Sequence, residues 1–158
     1  MRKKEIEETL YDYKNLGLRI ANIDLEIEIL KNDVSCVGVS YEFKGGPINS
    51  FSSVVENEVV RRDLYLSEHI EALKKKKSAM IAFKQTITNA LEMLNDEQYR
   101  IVELRYFDTK KKRKTWVEIG MMLGIDSVVC CKMKNRIVNK LKEEIFSQDL
   151  DNNQTISS

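Results

Sequence analysis

An all-α fold is predicted, with a long antiparallel helical hairpin of coiled-coil character followed by a compact helix-turn-helix module. Three observations carry it. The 158 residues hold one Pro and six Gly, too few turn punctuators for the many tight turns of a β-barrel or sandwich. Two long stretches place their apolar residues at steps of three and four, the helical period. Behind them the texture changes to short helical units separated by capping residues and a glycine. The length fits one domain or two small ones.

From Ile6 to Val34 the apolar residues fall at Ile6, Leu10, Tyr13, Leu16 or Gly17, Ile20, Ile23, Ile27, Leu30 and Val34. That is a coiled-coil seam, with Glu7, Lys14, Arg19, Asp24 and Glu28 on the other faces. A helix of roughly 30 residues, about 45 Å long, cannot bury such a stripe alone. Residues 35–52 hold three of the six glycines and the only proline, so the helix breaks there. A connection of this length is long for a compact domain, and Tyr41, Phe43 and Phe51 within it are read as folding back onto the helices, with a contact surface as the alternative.

Ser52 or Ser53 caps the next helix, and Glu56 completes a capping box with Ser53. A seven-residue repeat of Val59, Leu66, Leu73, Met80, Ile87 and Leu94, broadened by Val55, Ile70, Phe83 and Leu91, predicts a helix from about 54 to 94. Lys74 to Lys77 put four positive charges in a row and predict a bend or an exit from the pairing; the run is read as solvated surface. The part of this helix before the run folds back on the first helix as a hairpin. The rival covering is a homodimer through the N-terminal helices. Residues 1–90 are thus read as the hairpin region.

Asn95 or Asp96 caps a helix through Phe107, with Tyr99, Ile101, Val102, Leu104, Tyr106 and Phe107 on its apolar face. The basic run Lys110 to Lys114 follows as a turn. Thr115 opens a short helix, TWVEIGMML, and Gly124 suits the left-handed residue that closes it. Ile125, Asp126 and Ser127 lead into a last helix to about Phe146. Short helix, glycine turn and second amphipathic helix make a helix-turn-helix. Its interior is Val117, Ile119, Gly120, Leu123, Ile125, Cys130, Met133, Ile137 and Leu141, with Gly120 allowing the close approach of the two helices. Residues 91–146 form this second region, and the polar tail 147–158 is read as disordered.

Charge is divided between the regions. Residues 1–72 hold 9 Lys and Arg against 14 Asp and Glu, a net of −5, whereas 73–146 hold 17 against 9, a net of +8. A basic half suits a polyanion. No apolar run approaches the roughly 20 residues of a membrane span, and the charged start has no apolar stretch after it to serve as a secretory signal. No membrane contact and a cytoplasmic location are therefore expected. Cys36, Cys130 and Cys131 lack the spacing and the His partners of a zinc site and are read as reduced thiols. His69 is read as an ordinary surface or seam residue. Without a nucleophile constellation, a Walker loop or a GxGxxG turn, no enzyme activity, metal or cofactor is expected.

The stretch LNDEQYRIVELRYF, from Leu94 to Phe107, resembles the first helices of region 4 of the bacterial sigma-70 family. TWVEIGMMLGID followed by CKMKNRIVNKL resembles the helix-turn-helix of that module. The resemblance spans about residues 91–146, and no segment matches the sigma module that melts promoters. With a Lys- and Glu-rich helical front half containing SSVVENEV, the chain is also similar to small sigma-like late-gene regulators of phages and prophages of low-GC Gram-positive bacteria. The resemblance implies a transcription regulator that binds double-stranded DNA at the nucleoid and has RNA polymerase as a partner.

It further implies that the last helix enters the major groove, which places Ser127, Val128, Val129, Cys131 and Lys132 near base edges. Sigma region 4 commonly presents Arg, Glu or Gln at such places, whereas Val128, Val129 and Cys131 offer only apolar contact, for instance to thymine methyls. Phosphate contacts are expected from Lys110, Lys111, Lys112, Arg113 and Lys114, beside Thr115, and from Lys132, Lys134, Arg136 and Lys140. Trp116 is read as a packing residue. Two alternatives stand beside this reading. One is an adaptor that docks protein on the valine face; the other is a small terminase-like DNA-packaging subunit, which also pairs a helix-turn-helix with coiled helices.

Overall fold

The computed structural model describes the backbone over residues 3–36, 52–108 and 112–154, and side chains over 3–33, 57–108 and 112–145. Tyr41, Phe43, Phe51, the capping box of Ser53 and Glu56, and Lys110 and Lys111 lie outside the described side chains. The described elements are all helical: α1 Lys3–Cys36, α2 Ser52–Glu92, α3 Asp96–Val102 running on into a π-helical turn Glu103–Phe107, α4 Trp116–Leu123 and α5 Ser127–Gln154. The class is all-α. Among the described residues no helix is long and apolar enough to cross a membrane.

The chain forms two compact units, one of Met1–Leu18 with Ala82–Ser158 and the other of Arg19–Ile81. The boundary therefore cuts both long helices and does not fall at residue 90. The reason lies in the first turns of α1: Ile6, Leu10 and Leu16 are buried, and Tyr11 and Tyr13 meet the rings of Tyr106 and Phe107.

In the unit 19–81, Ile23 and Ile27 of α1 pack with Ile70 and Leu73 of α2, and Leu30 and Met80 lean on the cluster. Lys77 Nζ lies 2.5 Å from Asp24 Oδ1, and His69 lies 3.7 Å from Glu26. As the α1 number rises the α2 number falls, so the helices are antiparallel here. The lysine run leaves α2 continuous and still paired with α1 at Lys77, so the exit from the pairing that was one of two expected outcomes does not occur there. Lysine is a good helix former, successive residues point 100° apart, and Lys74 and Lys77 are held by Glu71 and Asp24. The hydrogen bond from Lys74 holds the Glu71 carboxyl below its ordinary range.

In the other unit the Tyr13 hydroxyl meets Thr88 Oγ1 at 2.9 Å, and α2 buries Ile87, Ala90 and Leu91. Phe83, assigned to the seam by its spacing, is 36% exposed, and Ala90 takes the interior place instead. Asn95 caps α3 through a reciprocal box: Gln98 N donates to Asn95 Oδ1 at 2.8 Å and Asn95 N to Gln98 Oε1 at 3.3 Å. The π-helical turn closes with Asp108 N donating to Glu103 O at 2.9 Å. Val117, expected inside, is exposed on the outer side of α4, while Val138 and Ile145 join the buried residues of α5. Helix α5 runs to Gln154, so 147–154 are helical where a disordered tail was expected. No Gly or Pro follows Phe146 to stop it.

Candidate nucleic-acid interface

The geometry of the α4–α5 corner follows from local chemistry. Thr115 caps α4: its Oγ1 accepts from Glu118 N at 3.2 Å, and Glu118 Oε2 accepts from Thr115 N at 2.6 Å and from the Thr115 hydroxyl at 2.9 Å. Those bonds from Thr115, backbone first, hold the Glu118 carboxyl below its ordinary range. Gly124 ends α4 in the left-handed region at φ 67° and ψ 29° and donates to Gly120 O. Ile125 N donates to the same oxygen at 2.9 Å.

A Cβ on Gly120 would lie 2.5 Å from Ile125 O. The turn backbone, and not the approach of one helix to the other, therefore demands glycine there. Asp126 then caps α5, with Oδ1 accepting from Val128 N at 2.7 Å and its carbonyl from Cys130 N at 3.0 Å. Beneath the corner, Leu104, Ile119 and Cys130 are buried, with Trp116, Leu123 and Ile125 packed on them. Burial pushes the Cys130 thiol up, which leaves it an inert packing group.

This corner fixes which side of α5 meets solvent. Val128, Val129, Lys132, Asn135, Arg136 and Asn139 are exposed, whereas Cys130, Ile137, Val138 and Leu141 are buried. At 100° per residue the exposed set spans an arc of about 120°. Ser127 and Cys131 are half-buried outside that arc. The arc thus combines two cations, two amides and two apolar side chains. Asn135 and Asn139 were missed in the sequence reading, although they stand three and seven residues after Lys132 and helical spacing alone places them on its face.

The expected cations separate into two groups. Lys132 and Arg136 stand on the arc, and Lys112 and Arg113 are exposed before α4. The Arg113 guanidinium lies 4.0 Å from the Tyr11 ring centroid. Lys114, Lys134 and Lys140 are engaged within the fold. Lys114 pairs with Asp108, and its carbonyl accepts from Arg105. Lys134 lies 2.7 Å from Glu7 Oε1, which also accepts from the Tyr106 hydroxyl at 3.0 Å. Burial, reinforced by the Glu7 charge, pushes that phenol far above its usual range. Lys140 donates to the carbonyl of Met93, and the Thr115 hydroxyl is occupied by its cap. Lys114, Lys134, Lys140 and Thr115 are therefore structural groups first. Trp116 carries the Arg105 guanidinium at 4.8 Å and packs as expected.

Residues 1–145 match the model of a family described as "Protein of unknown function (DUF722)". The chain belongs to that family. The DUF722 match extends from α1 into α5 and so includes the whole α4–α5 corner. The RNA polymerase sigma-E factor of Clostridium acetobutylicum is 44% identical over 62 residues, covering 39% of this DUF722 chain and 26% of that protein. The chain thus spans about a quarter of the length of this curated relative. No solved structure matches it.

Proposed function

We propose that the chain is a sigma-like, DNA-binding transcription regulator that lays the exposed arc of α5 in the major groove of duplex DNA and works with RNA polymerase. The observation that carries this reading is the arc itself, on a helix whose start is set by the capped glycine turn. Lys132 and Arg136 are placed to neutralise phosphates or to reach guanine edges, Asn135 and Asn139 offer the amide pairing that suits adenine, and Val128 and Val129 suit thymine methyls. Partial identity to a sigma factor supports the same reading. Phage or prophage origin, a place in the cytoplasm at the nucleoid, and the absence of catalysis belong to the proposal.

The test is a titration of duplex promoter fragments against salt. In Lys132→Glu/Arg136→Glu, affinity should fall by more than tenfold, and the slope of log K against log salt should shrink by about 2. Unchanged affinity and slope would overturn the reading. Asn135→Ala should relax preference at one base pair by about 1–3 kcal/mol.

The adaptor reading has its own supporting observation: Val117, Met121, Met122, Val128 and Val129 are all exposed, Met121 to 78%. A protein capture that survives the Lys132 and Arg136 reversals but fails in Val128→Asp/Val129→Asp would favour it over DNA.

A further inference from the structure

We propose that a groove between α1, the end of α2 and the start of α3 receives an arginine or lysine side chain from a basic segment of a partner protein. The groove has a volume of about 360 Å³, lies wholly within the unit of Met1–Leu18 and Ala82–Ser158, and uses no residue of the α5 arc. Leu91 and Leu94 give it apolar surface, Tyr13 and Tyr99 line it with aromatic rings, and Thr88, Glu92 and Asp96 supply its polar atoms.

The direction of the hydrogen bonds shows what the groove can accept. Thr88 Oγ1 donates its one proton to Lys84 O at 2.9 Å. The 2.9 Å contact between Tyr13 and Thr88 must then run from the Tyr13 hydroxyl to Thr88. Both hydroxyl protons are spent, and both oxygens retain only lone pairs for a ligand. Glu92 and Asp96 add exposed carboxylates. Two amides of the first turns of α3 are bonded within the fold, Gln98 N to Asn95 Oδ1 and Tyr99 N to Asn95 O. Among the described residues no Lys, Arg or His lines the groove. Side chains that offer only acceptors, with negative charge, match a group that has only donors and positive charge: an ammonium or a guanidinium.

The rings point to the same ligand. Tyr13 stacks on Phe107 at 5.3 Å and Tyr99 meets it edge-on at 6.4 Å, so both are held in place while Tyr99 remains 43% exposed. The chain's own Lys14 ammonium already sits 5.9 Å from the Phe107 centroid, an instance of this cluster attracting a cation to a ring face. The two leucines suit the methylene stem of a long basic side chain, whose head then reaches the carboxylates. A peptide side chain meets both requirements, whereas a small inorganic cation meets only the second.

The experiment titrates isotope-labelled full-length protein with a capped Ala-Ala-Arg-Ala-Ala peptide, with its citrulline counterpart, which is nearly isosteric and neutral, and with spermidine. The arginine peptide is expected to give saturable amide shifts clustered at Tyr13, Thr88, Leu91 and Asp96 to Tyr99. Citrulline should bind at least tenfold more weakly. Glu92→Gln/Asp96→Asn should weaken the arginine response by a similar factor while leaving helix content and duplex-DNA affinity unchanged, since Asn95 still caps α3. Equal response to citrulline, shifts centred elsewhere, or an unaffected double variant would overturn the proposal, and spermidine binding as tightly as the peptide would overturn the assignment to a peptide side chain. The citrulline comparison uses the native sequence and needs no variant to fold. None of these outcomes bears on the DNA reading, which rests on other residues.

Discussion

Two glycines four residues apart do different work, and single substitutions distinguish them. At Gly124 the left-handed backbone disfavours a side chain although nothing stands within 4 Å of a Cβ; at Gly120 the backbone is helical but the carbonyl of Ile125 blocks the space. Gly124→Ala should cost about 1 kcal/mol, and Gly120→Ala about 3 kcal/mol, both read by urea unfolding. Equal costs would show that the turn relaxes around the added methyl. Glu118 gives a pH signature. Its folded carboxyl lies below the ordinary range, so its contribution is present above the usual Glu value of about 4.3 and is lost as the pH falls beneath it. Gln can still accept the capping bond, so Glu118→Gln should keep most of its stability at neutral pH and lose less than the native chain on acidification. Tyr106→Phe removes a buried hydroxyl bonded to a carboxylate and should cost about 1.5–3 kcal/mol.

Helix starts were the most legible elements because a cap is a contract between residues three apart. Asn95 and Thr115 cap α3 and α4 as expected, and the structure adds that each closes a reciprocal box, with Gln98 and with Glu118; Thr115→Ala should lower stability by about 1 kcal/mol in the same unfolding assay. Helix ends were harder to read. The mostly polar residues after Phe146 suggest an end to α5 there, but polarity alone does not stop a helix that meets no glycine or proline. The role of single lysines was also beyond local reading. Lys134 looks like its neighbour Lys132 on paper, yet it meets Glu7, 127 residues away, and is thereby committed to the fold.

For the whole molecule, the division into two units implies two separable responses. Ile6→Ala and Ile27→Ala should each cost about 2–4 kcal/mol. Hydrogen exchange at Ile119 and Ile137 should accelerate in the first variant and stay slow in the second; acceleration in both would mean that the units unfold together. By itself the sequence determined the helical class, the apolar stripes of the two long helices and the capped corner, because each depends on spacing within a helix or on neighbours a few residues apart. Only the tertiary structure decided that the first turns of α1 complete the unit containing α5, which cations face solvent, and where Tyr13, Thr88 and Tyr99 meet. Those outcomes depend on long-range packing, which brings together side chains that no local period relates.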